Sequence, residues 1–100
     1  MSQQTEGKYS CEITTKYNYN YILHQPQKSN ELKPLIVFLH GSGERGDDVQ
    51  RVKIHGPLKY IQNHSIDAYI LAPQCPENSM WEAESLYKMI NKINLITKCH

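Results

Sequence analysis

One hundred residues allow one small domain, and a chain of this length buries only about 60 to 68% of the surface it exposes unfolded, so any core is thin. Eleven basic residues are scattered among ten acidic ones, for a net charge of +1, which leaves no charged field to hold nucleic acid and nothing that favours a membrane. Cys11, Cys75 and Cys99 are odd in number, far apart and without the paired spacings of a zinc site, so reduced, buried or half-buried thiols in a cytoplasmic protein are expected.

The first eight residues, Met1 to Lys8, hold no apolar stretch, which rules out a secretory leader and predicts a disordered tail over 1–8. Tyr9 to Ile13 reads as a strand. A second follows over Tyr17 to His24, where Tyr17, Tyr19 and Tyr21 share one face and Asn18, Asn20 and Ile22 the other. The polar turn Gln25 to Asn30 ends this antiparallel pair, whose tyrosines are expected to pack across strands.

Leu35 to Leu39 is an unbroken apolar run between Pro34 and a set of glycines, the pattern of a parallel strand buried on both faces. Gly41, Gly43 and Gly46 let the backbone turn sharply at its carboxyl end, where open α/β sheets bind ligands. Asp47 to Ile54 predicts a turn or two of helix, His55-Gly56-Pro57 interrupts it, and Pro57 opens another to about Asn63. Asp67 to Ala72 is the next strand, and the intervening crossover has the length of a right-handed βαβ unit, so the two strands should lie parallel. Pro73-Gln74-Cys75-Pro76 should carry the chain out of the sheet, because two of its residues lack an N–H. Ser79 and Glu82 have capping-box spacing, and Ala83, Leu86, Met89, Ile90, Ile93 and Ile96 mark the sheet-facing side of a helix running to about Thr97.

Three chemistries use a glycine-rich turn after a strand. Gly41, Gly43 and Gly46 fit a dinucleotide fingerprint, but that needs an acidic residue at the end of the next strand, and Asp67 stands at its beginning. A phosphate loop needs Lys and Ser or Thr where Asp47 and Asp48 stand, and two carboxylates repel phosphate. The third is an oxyanion hole, and a resemblance to a known family points to it. The run Leu39-His40-Gly41-Ser42-Gly43-Glu44-Arg45-Gly46-Asp47-Asp48, followed by Ala72-Pro73-Gln74-Cys75-Pro76 and Trp81, resembles the α/β-hydrolase esterases and predicted peptidases related to phospholipase/carboxylesterase and polyhydroxybutyrate depolymerase.

In that superfamily the turn after the third strand supplies one backbone N–H to the oxyanion, the other coming from the residue after the nucleophile. The resemblance implies that Ser42 fills this role through its amide, and that His40, Gly41, Gly43 and Trp81 border the substrate. His40 is expected to hold loop geometry or fill space at the strand end. Trp81 either lines the acyl or leaving-group side or anchors its helix at the core edge. Glu44, Arg45, Asp47 and Asp48 are expected to pair with one another and fix the turn. His24, His55, His64 and His100 stand alone in sequence, without a second metal ligand at helical or hairpin spacing.

The chain contains no G-x-S-x-G elbow around any of its serines at 2, 10, 29, 42, 65, 79 and 85. The resemblance therefore implies a partial α/β-hydrolase fold: an amino-terminal antiparallel strand pair plus two parallel strands with flanking helices, over residues 9–97. The nucleophile, acid and histidine would lie beyond His100. Such a segment supplies half an oxyanion hole for a small ester or peptide substrate, needs no cofactor, and is expected to be inactive alone, since triad loss costs about six orders of magnitude in turnover. The rival expectations are a non-catalytic binding or assembly module, with an apolar edge strand inviting self-association, and a dinucleotide-binding segment built on Gly41, Gly43 and Gly46.

Overall fold

A computed structural model describes residues 3–12, 16–27 and 31–97. β1 (Gln3–Glu12) and β2 (Lys16–Gln25) pair antiparallel along their whole lengths, with Tyr9 opposite Tyr19. β4 (Tyr69–Gln74) lies antiparallel to β2 on one side and parallel to β3 (Leu35–Val37) on the other, giving one mixed sheet in the order β1-β2-β4-β3. The expected parallel pair and amino-terminal antiparallel pair are both present, and the chain has α/β character.

Between β3 and β4 the chain makes two short 3-10 turns, Ser42–Glu44 and Val49–Lys53, and one turn of α1 (Pro57–Tyr60) with Pro57 in its first turn. α2 (Ala83–Thr97) follows β4. These segments cover opposite faces of the sheet. On one face Tyr19, Leu23 and Leu71 meet Leu86, Met89 and Ile93 of α2, and the Tyr19 hydroxyl shares a 2.6 Å hydrogen bond with the Ser85 hydroxyl. On the other face Ile22, Ile70 and Ala72 meet Val52 and Leu58 of the crossover. Among the described residues no helix is long and apolar enough to cross a membrane.

Several local expectations are corrected. Residues 3–8 are strand, not tail: from Gln3 opposite Gln25 to Lys8 opposite Asn20, each finds a place in the β2 ladder. Backbone pairing suffices where side chains are mostly exposed, so an apolar pattern is not required. Tyr21 also covers Gly7, where a Cβ would collide with its ring. The strand expected to be buried on both faces covers only Leu35–Val37 and sits at the sheet edge, with Ile36 37% and Leu39 43% exposed. The doubly covered strand is β4, where residues 70–74 are all buried.

β4 also runs through Pro73 to Gln74 instead of leaving the sheet. Its alternation explains why. Tyr69 donates to the Pro34 carbonyl and Leu71 accepts from Phe38, both at 2.9 Å, so residue 73 directs its backbone toward β3 as well. β3 has ended by then, and no N–H is needed from Pro73. The start of α2 shifts too: Glu82, not Ser79, is the cap, its carboxylate accepting from the N–H groups of Ser85 at 2.7 Å and Glu84 at 3.0 Å. Those bonds hold the Glu82 carboxyl below its ordinary range. Ala83 is exposed, while Leu86, Met89 and Ile93 face the sheet as expected. Ile13, Cys99, His100 and the side chains of Cys11, Tyr17 and Ile96 lie outside the described residues.

Candidate functional site

The last sheet bond of β3, Phe38 to Leu71, delivers the chain to His40 at the carboxyl edge. His40 is buried, and its Nε2 accepts the amide N–H of Cys75 at 2.9 Å. An amide nitrogen can only donate, so Nε2 carries no hydrogen and Nδ1–H donates to the Gly41 carbonyl at 2.5 Å. The ring is thereby committed on both sides. The Trp81 indole N–H donates to the His40 carbonyl at 3.2 Å, and the two rings lie 4.9 Å apart. Trp81 also packs against the α2 face of the core beside Tyr19, 5.8 Å between ring centres.

Gly41, Ser42 and Gly43 are exposed at the head of the first 3-10 turn, whose internal bonds run from Glu44 to Gly41 and from Arg45 to Ser42. The N–H groups of Ser42 and Gly43 therefore have no acceptor among the described residues, as at any helical start. The turn is clamped from below. Buried Gln74 donates through Nε2 to the carbonyls of Glu44 at 2.9 Å and Asp48 at 2.7 Å, and Gly46 N–H reaches the Cys75 carbonyl at 3.1 Å. Gly46 has φ +137, a conformation that favours glycine.

The charged cluster after the turn acts differently from expectation. Among the described residues no ion pair joins Glu44, Arg45, Asp47 and Asp48 to one another. Glu44, buried, takes His55 Nδ1 at 2.7 Å on one carboxylate oxygen, with His40 Nδ1 3.8 Å from the other. Asp48 caps the second 3-10 turn through the Gln50 amide, and the Arg51 guanidinium donates to the Arg45 carbonyl at 3.0 Å. Burial pushes the Cys75 thiol up, against the pull of the Arg45 guanidinium. His64, by contrast, stacks on Tyr60 at 4.1 Å, and no group of three or more candidate metal ligands occurs among the described residues.

Sequence reasoning brought His40, Gly41, Ser42, Gly43 and Trp81 to one edge, and there they stand. It missed Gln74 and the Glu44–His55 pair. A glutamine inside an otherwise apolar buried strand is the signal that could have found the first; nothing in the spacing of 44 and 55 announces the second. The chemistry available is limited. Among the described residues no serine hydroxyl hydrogen bonds to a histidine, so none is activated as a nucleophile. The glycines open a three-residue 3-10 turn, not the long helix on which a dinucleotide's pyrophosphate rests, and β4 ends in buried Gln74 rather than an acid. Two open clefts, of about 360 and 420 Å³, lie elsewhere, along Lys8, Tyr9 and Asn20 and along Glu6, Lys8 and Asp47.

No family model matches the chain. No curated protein matches it either. A solved structure described as a thermostable esterase is similar to it, with a TM-score of 0.52 at 27% identity over 93% of this chain. The matched region is 29% of that esterase, so the chain spans less than a third of its length. The described fold is thus an α/β arrangement like part of an esterase.

Proposed function

We propose that this chain is the oxyanion-binding segment of a serine hydrolase acting on carboxylic esters or peptides, with the Ser42 N–H as one of the two donors. The unpartnered amides at Ser42 and Gly43, on a turn held rigid by His40 and Gln74, support this reading together with the likeness to an esterase. Donors aimed in advance at a developing charge stabilise a tetrahedral oxyanion without reorganising during the reaction. Gly41 and Gly43 leave the approach open to a substrate carbonyl. His40 is a positioning residue here, and Trp81 both anchors the turn and borders the acyl side. The nucleophile, base and acid come from polypeptide outside residues 3–97, so the chain alone does not turn over esters.

Amide-resolved nuclear magnetic resonance tests this directly. Titration with a short alkyl phosphonate monoester, an anionic mimic of the tetrahedral intermediate, should shift the Ser42 and Gly43 amides. Ser42→Ala should preserve the shift at Gly43, because the hydroxyl has no part in it, and Ser42→Pro should abolish binding. Shifts confined to Lys8 and Asn20, or binding unchanged in Ser42→Pro, would refute the assignment. Serine-reagent-sensitive hydrolysis of a nitrophenyl ester by the chain alone would refute the division of labour.

A further inference from the structure

We infer that His55 is the counter-ion of the oxyanion turn: its imidazolium neutralises the Glu44 carboxylate lying against Gly41, so an anion on the Ser42 and Gly43 amides is held more tightly when His55 is protonated than when it is neutral. The inference rests on the oxyanion role assigned to that turn, and adds the group that sets the charge beneath it.

The geometry puts a negative charge close to the amides. Glu44 is 7% exposed, and its Oε2 lies 3.7 Å from the point where a Cβ on Gly41 would stand, just before the Ser42 N–H. Water does little to screen a carboxylate so placed. An oxyanion arriving at the Ser42 and Gly43 amides meets that charge through protein rather than solvent, and like charges repel. Free donors alone do not make the turn attractive to an anion while the carboxylate stays unbalanced.

Among the described residues the basic side chains within 4 Å of the Glu44 carboxylate are those of His40 and His55. His40 is committed as a neutral ring, since its Nε2 accepts the Cys75 N–H and its Nδ1–H serves the Gly41 carbonyl. The other charged groups around the turn are engaged elsewhere or stand apart from Glu44. The Arg45 guanidinium turns to the Cys75 thiol, Arg51 to the Arg45 carbonyl and Asp48 to the Gln50 amide. Glu77, after β4, stands beside Gly46, and Asp47 and Lys53 form no ion pair among the described residues.

His55 differs from all of these. Its Nδ1 reaches Glu44 Oε1 at 2.7 Å, while its side chain is 71% exposed and its Nε2 has no partner among the described residues. The bond from Nδ1–H to Oε1 exists in both protonation states, so a proton gained or lost at Nε2 changes the charge of the pair and not its contact. The whole arrangement lies between residues 41 and 55 of one chain. His55 acts through Glu44 and does not touch the anion.

A pH series of the phosphonate titration, read at the Ser42 and Gly43 amides, tests this. The phosphonate monoester keeps one negative charge throughout, because its single acidic proton is lost in far stronger acid. Affinity should fall about tenfold from about pH 5.5 to about pH 8, in step with proton loss followed at the His55 ring signals. By reciprocity, saturating phosphonate should move that proton loss to higher pH. His55→Gln keeps a donor for Oε1 but takes up no proton, and should give a level profile at the weak, alkaline value. Glu44→Gln removes the charge and keeps the shape, and should bind in alkali as tightly as the unaltered chain binds in mild acid. A pair that only braced the turn would leave every profile level.

Exchange of the same amides with water, measured by magnetisation transfer without phosphonate, reads the charge independently, since hydroxide-catalysed exchange passes through an amide anion. The Ser42 and Gly43 rates should lag behind hydroxide concentration as His55 loses its proton, and follow it in His55→Gln. If no phosphonate binds, the oxyanion role fails, and this lag alone decides: its presence upholds the charge relation and its absence overturns it. A level affinity profile in the unaltered chain, or an undiminished pH dependence in His55→Gln, would also overturn the inference.

Discussion

The imidazole of His40 and the backbone of Cys75 join the loops that leave the two parallel strands, through a single buried hydrogen bond of 2.9 Å from the Cys75 amide to Nε2. Because Nδ1 is engaged by the Gly41 carbonyl, the same ring that binds the second loop also sets the first residue of the exposed turn. The position of the Ser42 amide thus depends on a side chain two residues before it.

Removing that ring should cost stability and turn geometry together. His40→Ala leaves the Cys75 N–H buried without an acceptor and opens a void beside Trp81, a loss of about 3 kcal/mol. That is a large share of a typical domain's stability of about 5 to 15 kcal/mol. Urea unfolding should show the midpoint falling, and tryptophan fluorescence should report Trp81 losing the tilted imidazole beside it in the folded state. An unchanged midpoint would show that the ring holds nothing.

Gln74 offers an independent handle on the same turn. Its amide nitrogen bridges the carbonyls of Glu44 and Asp48, whereas its oxygen is buried without a hydrogen-bond partner among the described residues. Gln74→Leu therefore removes two useful donor bonds and one poorly placed acceptor, for a net loss of about 2 kcal/mol. Amides 42–46 should exchange faster in this variant while those of β2 and β4 stay protected. Uniformly faster exchange would mean that Gln74 supports the whole sheet rather than the turn.

The sequence carries the topology better than it carries the site. Leu86, Met89 and Ile93 repeat at helical spacing, and the apolar runs from Leu35 and from Ala68 flank a crossover of the right length, so the parallel pair and its covering helix could be read directly. Ile36 and Leu39 could not be placed, because an apolar run looks the same at a sheet edge as at its centre; only the neighbour order decides. Residues 3–8 were opaque for the opposite reason, since their strand is specified by the partner's ladder and not by their own side chains. Within the site, the glycines announced a turn, but the clamp made by Gln74, Glu44 and His55 joins residues 11 to 30 positions apart, and no local pattern encodes it.

Gly56 should tolerate no side chain. Its φ of +80 and ψ of −157 lie in a region open essentially to glycine alone, and an added Cβ would stand 2.5 Å from the Phe38 ring. Gly56→Ala should destabilise by about 2 to 4 kcal/mol, the sum of backbone strain and displacement of the ring. Adding Phe38→Leu separates the two causes. If the double variant recovers part of the loss, the ring contact contributes. If it recovers none, the backbone alone is responsible, and recovery of the whole loss would contradict the strain.

Stability should also fall on mild acidification because of His24. This side chain is buried in β2, its Nδ1 has no hydrogen-bond partner among the described residues, and burial holds its pKa below the ordinary 6.5. The unfolded chain then takes up the proton more readily than the folded one. Its contribution is fully present above pH 6.5 and is lost progressively as the pH drops below that value, until the folded imidazole is itself protonated. Glu82, with its carboxyl held down by the α2 amides, adds a separate loss that begins only below its ordinary 4.5. His24→Phe fills the same space with an apolar ring and removes the first titration. Thermal melts from neutral to mildly acid pH should fall for the unaltered chain and stay nearly level for His24→Phe above the Glu82 range. Parallel declines in both would assign the acid sensitivity to another group and leave the burial of His24 without consequence for pH.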